Sequence, residues 1–255
     1  KININELYDE IYSIDVIPNK KIWSESDKLQ IFDNNEILEN KKYLIKMLKS
    51  FYEYGYVIIE NTKPEENEVI NFAEKLGPVR TTNWGKLFNV VSKPNPNDLA
   101  YTALELKSHS DNPYRKPVPG IQLLHCIANE SVGGDSSLVD GYSVTEFLKK
   151  NHKKFYKILT ETNVNFKFID VDVILENKSK LIELDDNGLF KQINFSSRLD
   201  YVPNLRFEDL EIFYKARKCM YELCNSDQFK IKFRLSAGMI AMFDNLRTLH
   251  GRTKF

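Results

Sequence analysis

In the stretch Lys107-Ser108-His109-Ser110-Asp111-Asn112-Pro113-Tyr114-Arg115 a histidine and an aspartate stand two residues apart. A further histidine, His250, follows 139 residues after Asp111, within Asp244-Asn245-Leu246-Arg247-Thr248-Leu249-His250-Gly251-Arg252. Two imidazoles and one carboxylate can hold one face of an octahedral Fe(II) and leave three positions open, enough for a bidentate cosubstrate and dioxygen together. By itself a His-x-Asp pair is a common polar pair on a strand or loop, so its meaning depends on the sequence around it.

Working outward, composition sets the bounds. A chain of 255 residues is long enough for one large domain with a substantial core. Lys plus Arg number 36 and Asp plus Glu number 36, so no global field draws a polyanion or an anionic membrane, and neither nucleic acid nor membrane is an expected partner. Apolar runs such as 121–127 are too short to span a bilayer, and the opening Lys1-Ile2-Asn3-Ile4-Asn5 lacks an apolar signal core. A cytoplasmic protein is therefore expected. Cys126, Cys219 and Cys224 are an odd number without a Cys-x-x-Cys pair, which argues against a disulfide framework and a structural zinc site.

Residues 1–33 mix Asn, Ser, Asp and Lys with isolated apolar residues and are expected as an irregular arm packed on a domain over 34–255. Apolar residues at helical spacing predict a helix over about 35–54, stopped by Gly55, and a second helix over 65–76 closed by Gly77-Pro78. Between them Tyr56–Glu60 reads as a strand. Further strands are predicted at 87–92, 121–127, 136–139, 181–184, 190–195, 228–234, 238–243 and 246–250, with a helix at 207–224 and another opened by a capping box of Ser143 and Glu146. Short antiparallel strands with helices outside them predict a mixed α and β protein, a double-stranded β-helix or jelly roll flanked by helices.

The motifs Ala100-Tyr101-Thr102, His109-Ser110-Asp111, Pro119 to Cys126, Gly133-Gly134-Asp135-Ser136, Val139-Asp140-Gly141 and Phe243-Asp244-Asn245 through His250-Gly251-Arg252 occur in that order. Their order resembles the γ-butyrobetaine hydroxylase branch of the TauD-like Fe(II)/2-oxoglutarate dioxygenases, over residues about 50 to 255. The resemblance implies Fe(II) held by His109, Asp111 and His250 at the ends of jelly-roll strands, 2-oxoglutarate as cosubstrate, and dioxygen. Ser136 matches the family Thr/Ser that hydrogen-bonds the 2-oxoglutarate C5 carboxylate; a turn hydroxyl is the plainer alternative. The family's anchoring Arg lies somewhat over ten residues after the second metal histidine and is expected beyond Phe255, since Arg252 stands in the His-Gly-Arg position. Many carnitine-pathway relatives carry an additional N-terminal zinc-binding domain, which the first 40 residues, without Cys or His, are not expected to contain. His125 reads as a core imidazole and His152 as solvated surface.

The substrate is expected to be small and zwitterionic or anionic. Trp84, Phe88 and Tyr101 align with aromatic positions that cage a trimethylammonium in relatives, where each desolvated ring attracts the cation by roughly 0.5–2 kcal/mol; core packing is the alternative. Asn194 and Arg198, in Asn194-Phe195-Ser196-Ser197-Arg198, fall in the segment that meets the anionic head in relatives. An Arg beside two hydroxyls favours a dianionic phosphonate, although Arg198 could equally be a surface cation paired to Asp200. The reaction so implied is 2-oxoglutarate-dependent hydroxylation, through a ferryl species, of an aminoalkylphosphonate at the carbon next to phosphorus, as in the bacterial aminoalkylphosphonate hydroxylases. The alternatives are γ-butyrobetaine or a similar trimethylammonium carboxylate, methylphosphonate, or an inactive jelly-roll ligand-binding protein. A homodimer is left open.

Overall fold

The computed structural model describes residues 18–92, 94 and 99–255. Residues 1–17 of the expected arm lie outside the described residues. The remainder of the arm is not irregular throughout: Ile31–Asp33 forms strand β1, and Trp23 is a core residue, 1% exposed.

A polar residue that caps its own helix ends the one before it. The single helix expected over 35–54 is two helices, α1 (Asn34–Glu39) and α2 (Lys41–Tyr54). Asn40 between them takes an extended backbone, and its Oδ1 accepts from the Lys42 and Tyr43 N–H groups at the start of α2. Gly55 ends α2 in the left-handed region at φ 75°, where a Cβ would also meet the Arg247 side chain at 2.8 Å. Strand β2 (Tyr56–Glu60) follows, then α3 (Glu68–Leu76), β3 (Leu106–His109), β4 (Ile121–His125) and β5 (Ser136–Asp140). Helices α4 (Gly141–Asn151) and α5 (Lys153–Glu161), the hairpins β6 (Asn163–Asp170) with β7 (Val173–Lys180) and β8 (Ile182–Leu184) with β9 (Phe190–Ile193), and helix α6 (Phe207–Asn225) come next. Strands β10 (Lys230–Phe233), β11 (Ile240–Asp244) and β12 (Thr248–Arg252) complete the order.

Eight strands form two four-stranded sheets, β1-β2-β11-β4 and β10-β5-β12-β3, antiparallel throughout except for the β1–β2 pair. Because side chains alternate across a strand, β2 sends Tyr56 and Ile58 to one face and Val57 and Ile59 to the other. The first pair joins Trp23, Leu138, Ile231, Ala241 and Phe243 in an apolar cluster between the sheets. The second pair joins Phe32, Ile37, Met47, Val69 and Phe72 beneath α1, α2 and α3. A larger cluster under α4, α5 and α6 covers the outer face of the second sheet, with Val139 and Leu249 pointing into it. Each large apolar side chain so buried contributes about 1.5–3 kcal/mol. This is the double-stranded β-helix with flanking helices.

One ion pair ties the layers together. Arg247, 1% exposed, donates from Nε to Asp140 Oδ1 at 2.9 Å and from Nη2 to Oδ2 at 3.1 Å. Its remaining donors reach the Glu53 and Lys21 carbonyls. Asp140 caps α4 through the Tyr142 N–H and also accepts from Ser143 Oγ at 2.8 Å. The capping box expected at Ser143 is thus displaced: Asp140 is the N-cap, and the Ser143 hydroxyl serves it. No strand forms at 87–92 among the described residues, and the β6–β7 hairpin was not foreseen. Among the described residues no helix is long and apolar enough to cross a membrane.

Candidate metal centre

The antiparallel register of the second sheet sets His109, the last residue of β3, directly opposite His250 in β12. His250 lies in the middle of its strand and not at the end, as the sequence suggested. The two imidazole centroids are 4.3 Å apart, and the Phe243 ring packs 4.8 Å from that of His250. Asp111 follows one residue past Ser110, whose N–H and hydroxyl are both engaged by Phe195. Its carboxylate lies 3.3 Å from His109 Nε2 and 3.7 Å from His250 Nε2. One donor atom from each of the three residues can be chosen so that all lie within 4.8 Å of one another.

This donor set fits a divalent metal ion. Two ligands about 2.1 Å from one ion and at right angles sit about 3 Å apart, close to the spacings of Asp111 from each imidazole. His109 Nδ1 is 2.9 Å from the Lys107 carbonyl, so this nitrogen carries the proton and leaves the Nε2 lone pair facing Asp111. Asp111 is 30% exposed at its side chain, which leaves a path to its oxygens. Burial opposes its ionisation, but the imidazoles of His250 and His109 and the Gln122 amide outweigh it and hold the carboxyl well below the usual carboxylate range. Burial first, with the neighbouring His109 and Arg198 adding to it, pushes His250 down to about 4 against the pull of Asp111. Near neutral pH the site therefore offers an ionised carboxylate and a neutral His250, as metal ligation requires.

Two supporting residues escaped the sequence reading. Gln122 on β4 donates from Nε2 to Asp111 Oδ2 at 3.0 Å across the space between the sheets. Asn245, fully buried, accepts from the Asp111 N–H at 2.7 Å and donates to the Asp111 and Pro119 carbonyls. Both lie inside quoted motifs, but their orientation depends on strand pairing, which no local spacing reveals.

The other expected residues separate into distinct settings. Ser136 starts β5 opposite Arg252, while Leu138, two residues on, faces His250. Ser136 therefore shares the His250 face, about 7 Å along the strand. Arg252 donates to the carbonyls of Ala100, Thr102 and Leu104 and so holds the short 3₁₀ turn Leu99–Tyr101 that carries Tyr101. Trp84 and Phe88 come together with ring centroids 6.1 Å apart, and Phe168 packs on Trp84 at 5.3 Å. The Arg115 guanidinium already lies over the Trp84 ring, 5.1 Å from its centroid. Asn194 is fully buried, and its amide donates to Ser179 Oγ, the Lys180 carbonyl and Glu183. Arg198 is exposed and its charge is felt at His250, and Asp200 is engaged by Arg217. His125 sits half-buried on β4, and His152 is exposed between α4 and α5.

Residues 23–255 match the family described as taurine catabolism dioxygenase TauD, TfdA family. The chain is 34% identical over 242 residues to γ-butyrobetaine dioxygenase of Homo sapiens, a match covering 93% of this chain and 62% of the relative. To γ-butyrobetaine dioxygenase of Pseudomonas sp. (strain AK-1) it is 30% identical over 238 residues, again 93% of this chain and 62% of the relative. The chain thus spans less than two thirds of the length of these curated relatives. Among solved structures, a taurine dioxygenase from Burkholderia xenovorans superposes with a TM-score of 0.61 at 14% identity, covering 93% of this chain and 83% of that one. The fold, the order of the motifs and the extent of these matches together show that the chain belongs to the TauD/TfdA family.

Proposed function

We propose that this chain is the catalytic domain of an Fe(II)/2-oxoglutarate-dependent dioxygenase that hydroxylates a small trimethylammonium carboxylate of the γ-butyrobetaine type. The observation that carries the reading is the convergence of His109, Asp111 and His250 on one inner face of the jelly roll. The named activity of the human and Pseudomonas relatives supports a trimethylammonium carboxylate over the aminoalkylphosphonate favoured by the Arg198 segment alone.

Each side chain then has a task. His109, Asp111 and His250 would hold Fe(II), which when bound supplies the activation of dioxygen coupled to decarboxylation of 2-oxoglutarate. Overall, one dioxygen and one 2-oxoglutarate yield succinate, carbon dioxide and a hydroxyl group in place of one substrate C–H. Gln122 and Asn245 fix Asp111 from the side chain and from the backbone respectively, which keeps its ligating oxygen in one orientation. Phe243 excludes water from the inner edge of His250. Ser136 offers a hydroxyl to the distal carboxylate of 2-oxoglutarate from the His250 face, and Arg198 offers a positive charge to the substrate's anionic head. The aromatic group of Trp84 and Phe88 faces a cation already, that of Arg115, so a substrate ammonium replaces the guanidinium or extends the same cluster.

Four substrates test this reading: a carboxylate and its matched phosphonate, each with a trimethylammonium and with a primary amine, followed by succinate release. The trimethylammonium carboxylate is expected to turn over fastest, and Trp84→Ala to penalise both N-methylated compounds more than the primary amines. Preference for the phosphonates would return the substrate class to the aminoalkylphosphonates, and equal losses across all four would make Trp84 a packing residue.

A further inference from the structure

The strands that carry the two histidines have a second polar face. Alternation sends Ser108 and Ser137 outward, away from His109 and Leu138, and there a cleft of about 160 Å³ opens beside Lys107, Asn225, Asp227, Lys230 and Lys232. That volume is well above the roughly 10–15 Å³ needed by a single water. Ser108 and Ser137 line its floor, 3% and 6% exposed; the Ser108 oxygen is shielded from solvent, whereas the Ser137 hydroxyl is not among the fully shielded polar atoms. Gly251 keeps the floor open, because a Cβ there would lie 2.6 Å from the Leu106 carbonyl and 3.0 Å from Ser137 Oγ.

The rim charges are not equivalent. Lys107 is paired with Glu105 at 2.7 Å, and Lys232 with Asp227 at 2.6 Å. Lys230 donates to the Asn225 carbonyl at 3.1 Å and forms no ion pair with a carboxylate of a described residue. An ammonium has three donors, so two remain for a ligand. Burial, with Lys232 and Lys107 nearby, lowers the hold of Lys230 on its proton against the pull of Asp227 and Glu105, the signature of a cation short of counter-charge.

We propose that this cleft is a second binding site, distinct from the metal centre, for a small oxyanion such as phosphate or sulfate held by the Lys230 ammonium and the Ser137 hydroxyl. Charge-assisted hydrogen bonds of this kind are the strong ones.

Calorimetric titration of inorganic phosphate into the full protein at constant ionic strength, with sulfate as a parallel arm, tests the site. One saturable event is expected, weakened about tenfold or more by Lys230→Met through loss of a charge-assisted hydrogen bond, less by Ser137→Ala, and unchanged by Arg198→Ala. Should Lys230→Met fail to fold, Ser137→Ala carries the test, and an unaltered affinity in that variant overturns the proposal. Absence of saturable binding overturns it too. So does binding that survives Lys230→Met but is lost in Arg198→Ala, which would place the anion in the metal pocket.

Discussion

Asp111 is the residue on which the candidate metal centre turns, because it supplies the one carboxylate of the three and sits beyond the end of its strand. Its position is imposed by Asn245 on the backbone and Gln122 on the carboxylate. Replacing Gln122 with Leu removes the orienting donor while keeping the bulk, and is expected to lower Fe(II) affinity or turnover about 10–100-fold with the fold intact; wild-type metal binding in that variant would assign Gln122 to packing. Asp244, three residues before Arg247, tests the electrostatics away from the ligands. Burial raises its pKa, with the Leu246 N–H, Lys20 and Arg247 pulling the other way. A carboxylate whose folded pKa lies above its unfolded one makes the fold bind the extra proton, so stability falls as pH rises from the ordinary Asp value of 3.8 through the raised one. Asp244→Asn keeps the Oδ1 acceptor for Leu246 and is expected to raise thermal stability at pH 7, with the gain shrinking below the ordinary carboxylate range. A gain independent of pH would contradict that account.

At the scale of elements, the buried Asp140–Arg247 pair is the main joint, since it meets α4, the end of α2, the segment around Trp23 and the β11–β12 turn at once. Arg247→Met leaves Asp140 as a buried charge without its partner, which costs about 3–5 kcal/mol and should lower the melting temperature by roughly 6–20 °C in a domain of this size. Asp140→Leu combined with Arg247→Met should recover part of that loss, because no lone charge then remains; a melting shift of about 2 °C or less in the single variant would show that the pair is incidental. Elements with strong local signals were legible in the sequence. The apolar run of β2, the α6 periodicity and Gly55 as a helix stop all stand where they were read. Elements decided by competition were not. Asn40 breaks a helix whose apolar pattern runs straight through it, because a side-chain cap outweighs continuity, and Asp140 takes the capping role that the Ser143–Glu146 spacing suggested. The alternation Val164-Asn165-Phe166-Lys167-Phe168 was present for β6, yet its meaning depended on a partner strand with more polar than apolar residues. At 87–92, apolar residues gave a strand signal without a neighbouring strand among the described residues.

Over the whole molecule, the jelly roll brings together two stretches more than a hundred residues apart in sequence and sets their histidines opposite one another in adjacent strands. The three candidate ligand positions stand out in the sequence because metal chemistry demands particular residue types, whereas the candidate substrate positions carry no such demand, since an aromatic or an Arg serves packing and recognition equally well. Asn194 and Trp84 illustrate this: one is committed to core hydrogen bonds, the other is already covered by Arg115. The central claim is that His109, Asp111 and His250 hold an iron that couples 2-oxoglutarate to hydroxylation of a trimethylammonium carboxylate. Its most direct test is succinate release by the full protein with Fe(II), 2-oxoglutarate, dioxygen and γ-butyrobetaine, set beside His109→Ala and Asp111→Ala. The account predicts substrate-dependent succinate matched one to one by hydroxylated product, and its loss in both variants with the fold retained; undiminished turnover in either variant would contradict it.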